Sequence, residues 1–131
     1  VDIQKDLLLR LKSEAEERSL TNVEIIWGDA ENIGGIKLRA GIADAVIVSN
    51  MLFSVESKSG LIHECHRILK PGGSLLLIDW AESFGTFGPK SERVVTERLA
   101  RELFENGGFI FGRSIPAGEH HYGMILEKMR N

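Results

Sequence analysis

Cysteine is almost missing from this chain: Cys65 is the only one in 131 residues. That excludes an internal disulfide framework and any cysteine-only zinc site, and it fits a reducing, cytoplasmic setting. An excess of positive charge is missing too. The 16 lysines and arginines face 19 acidic side chains, for a formal net charge of -3. Such a balance offers no electrostatic footprint for nucleic acid or for an anionic membrane surface. No apolar run approaches the roughly 20 residues that a membrane span needs. Repeats and low-complexity tracts are absent, and no glycine occurs before Gly28.

What is present describes one globular domain. Apolar residues make up 43% and charged residues 27%, which argues against disorder, and the length allows one core but not two. From Lys5 to Ser19, Leu7, Leu8, Leu11 and Ala15 recur at helical spacing. Val23 to Trp27 is short and rich in β-branched and aromatic side chains and predicts a strand. Residues 30–43 read as a short helix or an irregular crossover. Ala45 to Val48 is a continuous apolar run, the pattern of a parallel strand covered on both faces. Ser57 to Leu69 predicts a helix with Leu61, Cys65, Ile68 and Leu69 on one face and Lys70-Pro71-Gly72-Gly73 as its stop. Leu75 to Ile78 predicts a second fully apolar strand. Ser91 to Asn106 predicts a third helix striped by Val95, Leu99 and Leu103. Two last strands, near Phe109–Arg113 and Tyr122–Glu127, are joined by too short a link for a crossover and so pair antiparallel. The pattern is α/β and doubly wound, with a mostly parallel sheet and a C-terminal antiparallel hairpin.

In such a sheet, ligands sit beyond the carboxyl ends of the parallel strands. Asp2 follows Val1 there, placed either to accept both hydroxyls of a ribose or to cap the helix after it. Gly28-Asp29-Ala30-Glu31 follows the next strand. A carboxylate in that tetrad can accept from an exocyclic amine while glycine and alanine let a flat base approach, or it can close its own turn. Ser49-Asn50-Met51-Leu52-Phe53 follows the third strand and Asp79-Trp80 the fourth. Phe53 and Trp80 are candidate substrate contacts, as is Tyr122. His121 and Tyr122 are also candidate bases, although neighbours on a strand point to opposite faces. His63-Glu64-Cys65-His66 invites a metal reading, but Cys65 lies on the apolar stripe and no outside ligand completes the set, so no metal is expected.

Together these pieces resemble the class I S-adenosylmethionine-dependent methyltransferases, in particular the ubiquinone/menaquinone-biosynthesis-like, type 11 group. The likeness rests on Val1-Asp2-Ile3 before an amphipathic helix, and on Leu20-Thr21-Asn22-Val23-Glu24 leading into Gly28-Asp29-Ala30-Glu31. It continues through Asp44-Ala45-Val46-Ile47-Val48-Ser49 and Glu64-Cys65-His66-Arg67-Ile68-Leu69-Lys70-Pro71-Gly72-Gly73 to His121-Tyr122-Gly123. Leu69-Lys70-Pro71-Gly72-Gly73 before an apolar strand is its most diagnostic part. The resemblance implies a Rossmann-like fold, with S-adenosylmethionine as cofactor and a small molecule as methyl acceptor. It implies that Asp2 binds the ribose and Ile3 packs on the adenine. Asp29 would take the adenine amine, with Gly28 and Ala30 beside it, and Ser49 and Asn50 would lie near the methionine portion. It supplies no catalytic base.

One departure is large. The group begins with a strand and a Gly-x-Gly-x-Gly loop that holds the methionine end of the cofactor, and neither is in this sequence. The expectation is therefore a single partial domain over residues 1–131, the C-terminal two-thirds of a longer protein. Its bare sheet edges are open to a second copy of the chain. Two alternatives stand beside the enzyme: a methyltransferase-like module that binds without chemistry, and, ranked last, half of a nicotinamide dehydrogenase.

Overall fold

The computed structural model describes residues 1–130. Its sheet holds β1 (Ala43–Ser49), β2 (Leu69–Trp80), β3 (Phe109–Pro116) and β4 (His121–Lys128), side by side in the order β1-β2-β4-β3. β1 and β2 run parallel, while β2–β4 and β3–β4 are antiparallel. The α/β class and the terminal hairpin are thus as expected. The parallel part is brief: this one pair, plus a single bridge between Asp2 and Trp27.

Helices α1 (Lys5–Glu17), α2 (Lys58–Ile68) and α3 (Glu97–Asn106) complete the chain. α2 begins where the Ser57 hydroxyl accepts the Gly60 N–H at 3.1 Å, an N-cap that satisfies one orphan amide. It ends at Ile68, before the Lys70-Pro71-Gly72-Gly73 stop, because a residue ahead of proline is driven out of the helical region. Those four residues instead open β2, with Gly72 at φ +76°. The core lies between one face of the sheet and α2 with α3. Val48, Leu75, Leu77, Met124 and Leu126 supply the sheet side, and Leu61, Cys65, Ala100 and Phe104 the helix side.

Three expectations fail for physical reasons. Val23–Trp27 forms no strand beyond the Asp2–Trp27 bridge, since a strand exists only as a partner in a ladder and its neighbour here is three residues long. β1 is covered on one face only. Val48 is buried, but Ile47 is 69% exposed, because among the described residues no helix packs over that face of β1. The third helix begins at Thr96, not Ser91. The Thr96 hydroxyl caps the Leu99 N–H at 3.3 Å, and residues 91–93 make a separate 3-10 turn. Val95 is buried and Leu103 packs against the core as expected, but the buried residues of α3 itself are Ala100 and Phe104, and Leu99 is exposed. In α1, likewise, Leu8 and Ala15 are buried while Leu7 and Leu11 stay about half exposed.

The irregular crossover of residues 30–42 is held by a polar network on α2. The Glu64 carboxylate, fully buried, accepts the Ile36 N–H at 2.9 Å and pairs with Arg67 at 2.6 Å. Arg67 in turn donates to the carbonyls of Ile36 and Leu38, each at 2.8 Å. Hydrogen bonds from Arg67, opposed by burial and helped by the Ile36 amide, pull the Glu64 carboxyl from 4.5 down to about 2. A depressed carboxyl pKa adds stability that is complete above the unfolded value and lost as pH falls toward the folded one. Urea titrations should therefore show the chain losing stability between about pH 4.5 and pH 2. Glu64→Gln should be less stable by about 3 kcal/mol at pH 7, since it leaves Arg67 without its charge partner, and should show a flatter profile across that window.

Candidate functional site

Three hydrogen bonds build one side of the site. Asp2 N donates to Ile26 O at 3.3 Å, Gly28 N donates to Asp2 O at 3.1 Å, and Trp27 Nε1 donates to Ile3 O at 2.9 Å. They lay Val1–Ile3 beside Ile26–Gly28 and so bring Asp2 next to the Gly28-Asp29 turn. A Cβ on Gly28 would collide with the Gly35 carbonyl oxygen, so glycine lets the 28–29 turn pack against the backbone at residue 35.

The other side is the turn that leaves β1. Asn50 sits at φ +53°, the left-handed region that asparagine tolerates better than most residues. Its N–H continues the sheet ladder to Ile78 O at 2.9 Å, and Met51 O then accepts the N–H groups of Ser54 and Val55 at 3.0 and 3.3 Å.

Between these two sides opens a cavity of about 460 Å³, within the range of ~300–1,000 Å³ usual for small-molecule sites. Asp2, Ile3, Gly28, Asp29, Ala30, Ser49 and Asn50 all line it, together with Val1, Gln4, Glu31, Ile47, Met51, Ser54 and Val55. The seven cofactor candidates from the sequence thus share one cavity. Both aspartates already spend acceptors on local turns. Asp2 Oδ1 accepts the Gln4 N–H at 2.8 Å. Asp29 Oδ1 accepts the Glu31 N–H at 2.9 Å and Oδ2 accepts from Asn32 Nδ2 at 2.7 Å. A carboxylate has about four lone-pair sites, so each keeps capacity for a ligand. The turn role and the ligand role are compatible.

The other candidates lie elsewhere. Tyr122 is buried and its hydroxyl donates to Val95 O at 2.7 Å. Trp80 packs against His121 with ring centroids 4.3 Å apart and against Phe87 at 5.6 Å. Neither lines the cavity, nor does Phe53, whose neighbours Met51 and Ser54 do. Cys65 is in the core, and His66 rests edge-on against Phe109 at 5.5 Å. A larger groove of about 650 Å³ runs between α1 and residues 20–27. Apolar side chains such as Leu8, Leu9, Val23 and Ile25 dominate it, with Glu16 and Glu24 also in its lining, and none of the seven cofactor candidates borders it.

Sequence reading missed Ile47, and it named Glu31 only within its tetrad, with no role of its own. Ile47 carried a signal, since it shares a strand face with Ser49 by the two-residue period. Glu31 reaches across the rim, its Oε1 accepting the Ser57 N–H at 2.7 Å, and only the fold reveals that.

The sheet is mixed, its parallel strand β1 ends at a cavity with carboxylates in its lining, and the architecture is α/β. The methyltransferase domain family matches residues 1–77, more than half of the chain, and the chain belongs to that family, whose cofactor is S-adenosylmethionine. No curated protein matches it. Among solved structures, it is similar to a SAM-dependent methyltransferase from Aquifex aeolicus, with 22% identity, a TM-score of 0.84 and coverage of 95% of this chain and 65% of that one. It is similar to the cyclase SpnF at 15% identity and a TM-score of 0.83, covering 98% of this chain and 64% of that one. The PH0226 protein from Pyrococcus horikoshii matches at 19% identity and a TM-score of 0.79, with 96% and 68% covered. The chain therefore spans about two thirds of the length of these structures.

Two outcomes follow from this geometry. Gly28→Ala should cost more than about 1 kcal/mol in denaturant unfolding, because the added methyl must displace backbone. Burial, with the Glu64 charge beside it, pushes the Cys65 thiol up to about 12. It should resist a thiol-specific reagent at pH 8 until denaturant opens the core, when one equivalent reacts.

Proposed function

We propose that this cavity is the nucleoside half of an S-adenosylmethionine site and that the whole protein transfers a methyl group to a small-molecule acceptor. The observation that carries the reading is the shared cavity of Asp2 and Asp29, lined also by Gly28, Ala30 and the exposed Ile3. The residues present fit the group in part. Asp2 has acceptor capacity for a ribose diol, and Asp29 has it for the exocyclic amine of a base. The small side chains at 28 and 30 admit a flat ring, and Ile3 offers it an apolar face. The methionine portion meets only Ser49 and Asn50.

When bound, S-adenosylmethionine supplies an electrophilic methyl group on a sulfonium. The chain's own contribution is to hold the nucleoside in one orientation and to keep water from that end of the cavity. A proton acceptor is needed only for acceptors that must be deprotonated first, and no residue of this chain is assigned that role. Coverage of about two thirds of the matched structures supports reading the chain as part of a longer domain, with the glycine loop on its N-terminal side. The open edge of β1 is where that domain's next strand, or a second copy of the chain, would pair. No helix among the described residues is long and apolar enough to cross a membrane.

A second reading, a methyltransferase-like module that binds a partner or substrate without chemistry and takes up no cofactor, is favoured by the thin provision for the methionine portion. Titration calorimetry with S-adenosylhomocysteine separates the two. Binding by an upstream-extended form supports the enzyme, and binding by neither form refutes the cofactor site. In the form that binds, Asp2→Ala and Asp29→Ala should each weaken affinity by about tenfold or more, the value of a charge-assisted hydrogen bond. Unchanged affinity in Asp29→Ala would refute its assignment to the base.

A further inference from the structure

A fully buried acid lies behind the cavity without lining it. Asp79, on β2, is fully buried, and among the described residues no cation pairs with it. A buried carboxylate without a counter-ion is expensive unless backbone donors surround it. Here they do. Asp79 Oδ2 accepts the Leu52 N–H at 2.9 Å and Oδ1 accepts the Trp80 N–H at 2.8 Å. The amides of Met51 and Phe53 are also near enough to favour its charge. Leu52 itself is fully buried, and the residues just before it, Ser49, Asn50 and Met51, form one wall of the cavity. The carboxylate thus grips the turn from behind, 27 residues away in sequence. The turn also holds Asn50 in the left-handed region, a conformation that persists only when its surroundings enforce it.

We propose that Asp79 is a positioning residue, whose buried carboxylate fixes the Asn50–Phe53 turn so that Ser49, Asn50 and Met51 present a preformed wall to the bound cofactor. This rests on the cofactor reading above. Tyr122, its partner across the β2–β4 ladder, does not compete for the carboxylate, because its hydroxyl is committed to Val95 O. Burial raises the pKa of Asp79, and the surrounding amides work against that rise. Preorganisation of this kind lowers the cost of ordering a loop when ligand arrives.

Amide hydrogen exchange and S-adenosylhomocysteine affinity together test it. In the unaltered chain, the Leu52 amide should exchange as slowly as the strand amides of Leu75 and Leu77, although it lies in a turn. Asp79→Asn should speed exchange at residues 51–53 by about 100-fold while leaving Leu75, Leu77 and Met124 within about threefold. In the form that binds, it should weaken affinity about tenfold well below the melting temperature. A purely structural role would speed all amides together and leave affinity unchanged, which overturns the proposal. Fast exchange of Leu52 in the unaltered chain also overturns it, and that measurement decides the matter if Asp79→Asn does not fold. If no form binds the ligand, the cofactor reading fails, and the exchange data alone still decide whether Asp79 fixes the turn.

Discussion

Backbone amides outside helices and ladders must find acceptors, and in this chain side-chain carboxylates supply them. Glu31 takes the Ser57 N–H, Glu64 the Ile36 N–H and Asp79 the Leu52 N–H. Each bond ties an irregular segment to a part of the chain at least 26 residues away. Residues 28–38 and 50–57 carry the cavity rim, yet they belong to no helix or strand. Unmade amide bonds in such segments would cost as much as lost hydrogen bonds anywhere else in the core. Acids therefore shape the rim before any ligand is considered.

This double use explains what could be read from the sequence and what could not. Asp2 and Asp29 stood out because they follow apolar or β-branched stretches at the expected end of a sheet, and the fold brings them to one cavity. Their turn bonds were equally readable, since aspartate two residues before an N–H is a local pattern. Asp79 occupies the same kind of position, but its partner lies 27 residues back, and no local pattern announces it. Glu64 was hidden for a related reason. It sits in a His-Glu-Cys-His stretch whose histidines draw the eye, while its role depends on Ile36 and on Arg67 one turn along.

Strands were misread where their neighbours decide. Val23–Trp27 has strand composition, yet its only ladder partner is the short Val1–Ile3 segment, and a single bridge results. Ala45–Val48 has the composition of a doubly covered strand, but Ile47 faces open space on the side where no helix lies. Composition records the environment a segment is suited to. In both segments the composition is that of a more covered strand, and the neighbours the fold supplies decide the outcome.

The cavity joins two parts of unequal rigidity. Its Ser49–Val55 wall is tied into the main core by Leu52 and Val55 and by the Asp79 bond. Its Asp2–Gly28 wall hangs on the three bonds between Val1–Ile3 and Ile26–Gly28, and α1 behind it makes little contact with the sheet. A ligand touching both walls would be held by a firm surface on one side and would itself order the other. Part of its binding energy would then be spent on fixing the weaker wall. Of the two acids, Asp2 stands on the wall with less support of its own, while Asp29 is steadied by Asn32 and the segment after it by the Glu31 bond to Ser57.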